Sequence, residues 1–147
     1  MAKLFSIKQN FAEKIFNLEK KVEYRRQNIN IENNELCIVY TSSPIKKLSG
    51  YFIVKEKLRL PLKELWLQTK DYAGITKQQF LRYFEGCIEG TAIILKVVKQ
   101  FIEGIKLNDI KTKISGFRPP QSYCNLNPQM YIILEGLIPQ STIKSFA

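Results

Sequence analysis

Four cationic side chains surround one carboxylate in residues 20–26, KKVEYRR. Val22 and Tyr24 alternate with charged residues in this segment, and such alternation is the period of a half-buried strand. Glu23 and Arg25 would then lie side by side on one face of that strand. A pair of this kind forms either a solvated strand face or the floor of a polar pocket, and the two alternatives imply different chemistry.

In a pocket, these charged side chains could bind an anionic ligand. Arg25 would present a rigid fork to a phosphate or a base edge. Glu23 would accept a hydrogen bond from an exocyclic amine such as that of cytosine or adenine. Lys20 would neutralise a phosphate, or act as a base if burial lowers its pKa. Lys20 and Glu23 are therefore the candidate catalytic residues, while a wet Glu–Arg pair that contributes little to stability remains the alternative.

Two loops carry further polar side chains. Residues 41–44, TSSP, could present hydroxyls and backbone N–H groups to a phosphate, although Ser-Pro is also ordinary turn chemistry. Residues 119–123, PPQSY, combine a glutamine that can pair with adenine and a tyrosine that either stacks on an unpaired base or packs onto the sheet. The candidate ligand-binding residues are Lys8, Lys20, Glu23, Arg25, Arg26, Ser42, Ser43, Gln121, Ser122 and Tyr123.

The composition indicates one soluble, basic domain. The chain has 147 residues, enough for a single domain with a hydrophobic core. Lys and Arg number 23 against 13 Asp and Glu, which gives a formal net charge of +10. This excess favours an anionic partner, nucleic acid first and an anionic membrane surface second. A merely soluble basic protein is the alternative, and net charge alone barely separates the two. The segment 1–5, MAKLF, contains no long apolar run of the kind that a signal peptide or membrane span needs, so we expect a cytoplasmic protein without a membrane partner.

The sequence contains no histidine, which is the commonest general base and neutral metal ligand. A Ser-His-Asp triad, a Cys-His dyad and a zinc site that needs histidine are therefore excluded for this sequence. Cys37, Cys87 and Cys124 are odd in number and widely spaced. They indicate buried, reduced cysteines rather than a disulfide frame or a metal knuckle. We expect neither a metal nor a cofactor.

The elements that must position these residues follow from hydrophobic period and capping signals. Asn10, with Glu13 three residues later, predicts the start of a short helix between the first two strands. Thr76 and Gln79 predict another capped helix, which follows a helix that begins near Pro61. Strands outnumber helices, which suggests a small closed or partly closed barrel. The predicted strands are 3–8, 20–26, 36–40, 48–54, 91–101 and a closing strand at 130–134.

In order and spacing, four segments together resemble the ASCH family of the PUA-like superfamily. They are SIK at 6–8, KKVEYRR at 20–26, YTSSP at 40–44 with SGYF at 49–52, and PPQSY at 119–123. The stretch between residues 64 and 86 is similar to the helical insertion of one ASCH branch, often labelled predicted RNA-binding proteins or transcriptional regulators. The resemblance implies an α+β fold: a small PUA-like β-barrel with a short N-terminal helix and a helical insertion. We expect a single domain over 1–147, with its core at about 3–126 and a C-terminal extension at 127–147.

The resemblance also implies a ligand, namely RNA or another nucleic acid or nucleotide, in a basic cleft between the barrel and the first helix. Some ASCH members resemble RNA-cleaving enzymes, and one branch hydrolyses the acetyl amide of acetylated cytidine with a lysine, a threonine and a glutamate. Lys20 matches that lysine by position, but Glu23 stands at the threonine position and no glutamate matches near 72–74. The hypotheses are therefore a nucleic-acid-binding module, a metal-independent ribonuclease or amidohydrolase, or a transcription-related regulator that needs a protein partner.

Overall fold

The computed structural model describes residues 2–138 and shows a mixed α+β fold. Within these residues, a 3₁₀ turn, Lys70–Tyr72, follows the second of five helices. The strands are β1 (Lys3–Ile7), β2 (Val22–Arg25), β3 (Leu36–Thr41), β4 (Lys47–Pro61), β5 (Glu89–Lys106) and β6 (Tyr123–Asn125), and the helices are α1 (Gln9–Phe16), α2 (Leu62–Thr69), α3 (Lys77–Tyr83), α4 (Leu107–Lys113) and α5 (Pro128–Gly136).

All six strands form one curled sheet in the order β2-β5-β4-β3-β1-β6, which makes a half-barrel. β1 pairs with β3 in parallel, and the other neighbours are antiparallel. β4 and β5 are much longer than predicted, and register shifts along their pairing mark irregularities in the ladder. Gly50 lies at one shift, where an added Cβ would stand 2.6 Å from the Phe16 ring. The sequence-based prediction of a PUA-like α+β fold with a helical insertion is confirmed.

The helical insertion, residues 62–88, packs against β2 and β5 through a cluster that includes Leu65, Phe80 and Phe84. The predicted capping box of α3 is present: Gln79 donates its backbone N–H to the Thr76 hydroxyl, and the Gln79 side chain accepts from the Thr76 N–H. The insertion therefore covers the face of β2 that carries Val22 and Tyr24.

The predicted cap of α1 at Asn10 is wrong. The helix begins at Gln9, and Lys8 is its extended N-cap with no side-chain cap hydrogen bond. β1 ends at Ile7, so Lys8 is the single residue between the strand and the helix. Glu13 instead accepts a hydrogen bond from the Gln9 amide.

The predicted closing strand at 130–134 is also wrong, because this segment lies in α5. The Asn127 side chain caps the helix by accepting from the Met130 N–H at 2.8 Å, and Pro128 occupies the first turn. Leu134 is buried against the face of the sheet that α4 also covers. The sixth strand is β6, in a segment expected to be a loop, and residues 139–147 of the expected extension lie outside the described residues. Within residues 2–138, no helix is long and apolar enough to cross a membrane.

Candidate functional site

A cavity of about 630 Å³ lies where several parts of the fold meet. Its walls come from the ends of β1 and β3 with the turn after β3, from the start of α1, from β2, from α3 of the helical insertion, and from the loop at 119–121. A volume of this size is typical of small-molecule and cofactor sites.

The structure brings six of the ten predicted binding residues to this cavity. β2 contributes two of them, Lys20 comes from the segment just before β2, and the others come from the β1–α1 junction, from the turn after β3 and from the 119–121 loop. The six are Lys8, Lys20, Glu23, Arg25, Ser42 and Gln121.

Glu23 and Arg25 form a buried ion pair on β2. Nη2 of Arg25 lies 2.9 Å from Oε2 of Glu23. Arg25 is 9% exposed and Glu23 is 5% exposed. Because both faces of β2 are covered, this pair does not lie on a solvated strand face. Oε1 of Glu23 makes no hydrogen bond to any residue in the described part of the chain, so this oxygen is available to a ligand in the cavity.

The guanidinium of Arg25 is bound mainly to protein groups. Nη1 donates to the Ser122 hydroxyl at 3.0 Å and to the Ser122 carbonyl at 3.3 Å, and Nη2 also donates to the Ser6 carbonyl at 3.0 Å. Its carbon lies 5.0 Å from the centroid of the Phe5 ring. Arg25 therefore orients Glu23 and joins β2 to β1 and the 119–122 loop. The sequence analysis expected its guanidinium to bind a phosphate, but in the structure these donors are already bonded to protein groups.

Lys20 is the most buried cation at the cavity, with 2% of its surface exposed. Its Nζ donates to the Ala73 carbonyl at 3.2 Å and lies 4.6 Å from the centroid of the Tyr24 ring. The pKa of Lys20 is lowered from 10.5 to about 8, mainly by burial; the charge of Glu23 opposes this shift, and the charges of Lys14 and Arg25 contribute to it. At pH 7 the side chain is mostly an ammonium, yet it releases its proton far more readily than an exposed lysine.

The loop at 73–74 is bound tightly to this part of the site. Lys14 Nζ donates to the Gly74 carbonyl at 2.7 Å, next to the bond between Lys20 and Ala73. Gly74 has a positive φ of 68°, and an added Cβ would stand 2.6 Å from the Lys20 Cβ. The helical insertion thus fixes the position of the Lys20 side chain.

Four predicted binding residues lie outside the cavity lining. The Ser122 hydroxyl accepts from Arg25, so it supports the site from behind. Tyr123 stacks on Phe5, with ring centroids 5.5 Å apart, and so takes the packing alternative. Arg26 is exposed and donates to the Glu85 carbonyl, and Ser43 is exposed in its turn.

Sequence reasoning missed the wall that α3 provides. Gln79, Arg82 and Tyr83 line the cavity, and their spacing of three and four residues places them on one helix face. Phe80 and Phe84 pack on the opposite side against β2 and β5. The capping box made the helix visible in the sequence, and the helical spacing between Gln79 and Arg82 was the signal that could have identified this face.

In the described residues, no group of three or more His, Cys, Asp or Glu side chains is arranged to bind a metal ion. Cys37 is buried, and burial raises the pKa of its thiol. Cys87 and Cys124 are half-buried free thiols. What the site offers chemically is a carboxylate, an ammonium of lowered pKa and several hydroxyls.

Comparison with known proteins finds similarity in both sequence and structure. No family model matches it. An ASCH domain-containing ribonuclease of Zymomonas mobilis is 29% identical over 119 residues, which cover 81% of this chain and 80% of the relative. The crystal structure of ASCH from Zymomonas mobilis matches with a TM-score of 0.87 at 27% identity, covering 95% of this chain and 96% of that chain. A Pseudomonas syringae protein, 12% identical with a TM-score of 0.60 over 93% of this chain and 99% of its own, shares the fold. In both sequence and structure, the chain is therefore similar to ASCH domain proteins.

Proposed function

We propose that this protein binds single-stranded RNA by taking one unstacked nucleotide into the cavity. The observation that carries the proposal is the buried array of Glu23 and Arg25 on β2 with Lys20 just before it, which lines a cavity of about 630 Å³ in a chain of net charge +10. The relative from Zymomonas mobilis is named a ribonuclease, which supports RNA as the polymer.

The lining suits an extruded base. Oε1 of Glu23 can accept from a base N–H group, and the Lys20 ammonium can donate to a neighbouring acceptor. Phe11 and Tyr83 add aromatic surface to the walls, on which an unpaired base gains about 1 to 3 kcal/mol by stacking. Exposed lysines elsewhere, such as Lys63, add the non-specific phosphate attraction that makes binding salt-dependent.

A second candidate function is cleavage of the bound RNA. It is favoured by the proximity of a carboxylate and an ammonium with a pKa of about 8, and by the name of the relative. In this reaction the 2′-oxygen attacks the adjacent phosphorus while Glu23 takes the 2′-hydroxyl proton. The bond to the 5′-oxygen breaks, and Lys20 donates a proton to that leaving oxygen. The phosphate becomes a cyclic ester, and no metal takes part in the proton balance.

The remaining hypotheses have less support at this site. Amide hydrolysis on a modified nucleoside would need a nucleophile, and position 23 holds a carboxylate bound to Arg25 instead of a hydroxyl. A regulatory role with a protein partner, and a cytoplasmic location, stay predictions.

The test is to incubate the protein with a mixed-sequence, end-labelled single-stranded RNA at low salt. Binding is followed by gel shift, and strand integrity by a denaturing gel of the same samples. Glu23→Gln removes the charge that faces the cavity, and Glu64→Gln is the control, because Glu64 is an exposed residue of α2 that does not line the cavity.

Intact RNA that is bound by the wild type and by Glu64→Gln, but weakly by Glu23→Gln, supports the binding module. Cleavage by the wild type that is lost only in Glu23→Gln supports the second candidate. If no single-stranded RNA binds, or if Glu23→Gln behaves like Glu64→Gln, the cavity is not the RNA site and the proposal fails.

A further inference from the structure

Four cations line the cavity, and they fall into two pairs. Lys20 and Arg25 are buried and donate to protein carbonyl, hydroxyl and carboxylate oxygens. The side chains of Lys8 and Arg82 are exposed, and within residues 2–138 neither donates a hydrogen bond or forms an ion pair. The second pair is therefore the one whose donors are available to a ligand's anionic groups.

Lys8 and Arg82 belong to different walls of the cavity. Lys8 is the N-cap of α1, directly after β1, whereas Arg82 is on the face of α3 that also carries Gln79 and Tyr83. Glu23, whose Oε1 makes no hydrogen bond to any described residue, and the aromatic ring of Phe11 line the same cavity. The cavity therefore has an exposed cation on each of two elements and a carboxylate oxygen that can accept from a base N–H.

We infer that the cavity takes an internal nucleotide of single-stranded RNA, with Lys8 and Arg82 each binding one of the two phosphates that flank the extruded base. This inference rests on the proposed function and specifies its substrate: a continuing strand rather than a free nucleotide or a strand end. A mononucleotide offers one phosphate and occupies one cation, whereas an internal nucleotide has a phosphodiester on both sides. Arg82 can bind its phosphate with two parallel hydrogen bonds, and Lys8 acts as a point charge.

The two contacts have a measurable salt signature. Each phosphate that a protein neutralises on a single strand contributes a slope of about −0.7 to the dependence of log affinity on log salt concentration. Removing Lys8 or Arg82 should therefore reduce the slope by about 0.7 each and weaken binding similarly for all sequences. Removing both should reduce it by the sum, because the residues lie on separate walls.

The experiment measures the affinity of a short mixed-sequence RNA over a series of salt concentrations for the wild type, Lys8→Gln, Arg82→Gln and the double variant. Lys77→Gln is the matched control, since Lys77 is an exposed cation of α3 that does not line the cavity. The same strand closed into a circle is measured beside the linear one. A thermal melt of each variant verifies that its fold is retained.

We expect the circular and linear strands to bind alike, Lys8→Gln and Arg82→Gln each to lower the slope, and Lys77→Gln to lower it by less. Loss of binding to the circle, or a slope that only one of the two variants changes, would show a strand-end site and overturn the inference. Equal slopes for Lys8→Gln, Arg82→Gln and Lys77→Gln would overturn it as well, while the weak binding of Glu23→Gln would leave the proposed function standing. If the wild type binds neither strand, the proposed function itself has failed.

Discussion

The guanidinium of Arg25 and the carboxylate of Glu23 form an ion pair between residues two apart on one strand, with 2.9 Å between Nη2 and Oε2. The same guanidinium donates to Ser6 and Ser122, which belong to β1 and to the segment before β6. One side chain therefore sets the orientation of the cavity carboxylate and also joins β2, one edge strand of the sheet, to the region of the other edge.

Arg25→Met should destabilise the protein strongly. It leaves the Glu23 carboxylate buried without its cation and removes the donors of the Ser6 and Ser122 groups, and losing one partner of a buried pair costs about 3 to 5 kcal/mol. Glu23→Gln should cost less, about 1 kcal/mol, because the amide oxygen still accepts from Arg25. The free energy of unfolding, from urea titrations followed by circular dichroism, measures both changes.

The control for this prediction is Glu89→Gln. Glu89 pairs with Arg59 at 3.4 Å, but its side chain is 49% exposed, so its loss should change stability by less than about 0.5 kcal/mol. If Arg25→Met changed stability as little as Glu89→Gln, the Glu23–Arg25 pair would be solvated in solution, and the description of β2 as buried on both faces would be wrong.

The sequence predicted much of the sheet and the chemistry of β2, but it did not decide between a wet strand face and a pocket. Alternation in residues 20–26 shows which side chains share a face, because that follows from strand geometry alone. Whether the Glu23 face is covered depends on α1, the helical insertion and the 119–121 loop, which are distant in sequence. Likewise, the hydrogen bonds that Arg25 donates to Ser6 and Ser122 could not be predicted, because these residues are distant from Arg25 in sequence.

The wrong prediction for residues 130–134 has a local cause. The run MYIIL contains two β-branched isoleucines and satisfies a strand pattern as well as a helix pattern. Asn127 followed by Pro128 is a helix-start signal, and in the structure this cap decides the outcome. The lengths of β4 and β5 were underestimated for a different reason: their outer halves carry charged residues, such as Lys57 and Arg59, while remaining paired with each other.

Lys20→Met should make the protein more stable at neutral pH. Burial lowers the pKa of Lys20 to about 8, which means that the folded environment disfavours the ammonium relative to the unfolded chain. A methionine of similar length avoids that penalty but loses the bond to Ala73 and the contact with the Tyr24 ring. We expect a net gain on the order of 1 to 3 kcal/mol in the free energy of unfolding, together with a loss of RNA affinity. A less stable Lys20→Met protein would show that the ammonium contributes more by these contacts than it costs by desolvation.

The stability of the wild type should rise with pH between about 8 and 9. In this window the unfolded chain, whose lysine has a pKa of 10.5, still holds the proton that the folded Lys20, with a pKa of about 8, has released. The unfolded state therefore binds more protons, and unfolding becomes less favourable as the pH increases. Above about 9 the effect is opposed, because burial raises the pKa of the Cys37 thiol and raises the pKa of Tyr24 to about 12, so these groups retain protons in the folded form that the unfolded form loses. Urea titrations at a series of pH values should show the rise in the wild type and its loss in Lys20→Met.

RNA affinity should fall as the pH increases through about 8. Over this range Lys20 changes from an ammonium to a neutral amine and loses its positive charge in the cavity. Fluorescence anisotropy of a labelled strand measures the affinity, and Lys20→Met should show no fall over the same range. If the protein cleaves RNA, the direction of its pH–rate profile separates two roles for Lys20: a rate that falls above pH 8 fits the acid proposed above, and a rate that rises fits a neutral base.

Gly74→Ala should damage both stability and binding, whereas Gly86→Ala should affect stability alone. Both glycines have a positive φ, 68° and 84°, so each substitution carries the left-handed strain of about 1 kcal/mol that any alanine meets there. At Gly86 an added Cβ has only Arg26 Nη2 near it, at 3.9 Å, but at Gly74 it stands 2.6 Å from the Lys20 Cβ and 2.9 Å from its Cα. The 73–74 loop or the Lys20 backbone must then move, which adds about 1 to 3 kcal/mol of packing strain and displaces the ammonium from its place beneath the cavity. Urea titration and RNA affinity are measured for both variants, and a Gly74→Ala protein that binds RNA as well as Gly86→Ala does would show that the position of Lys20 does not matter to the ligand.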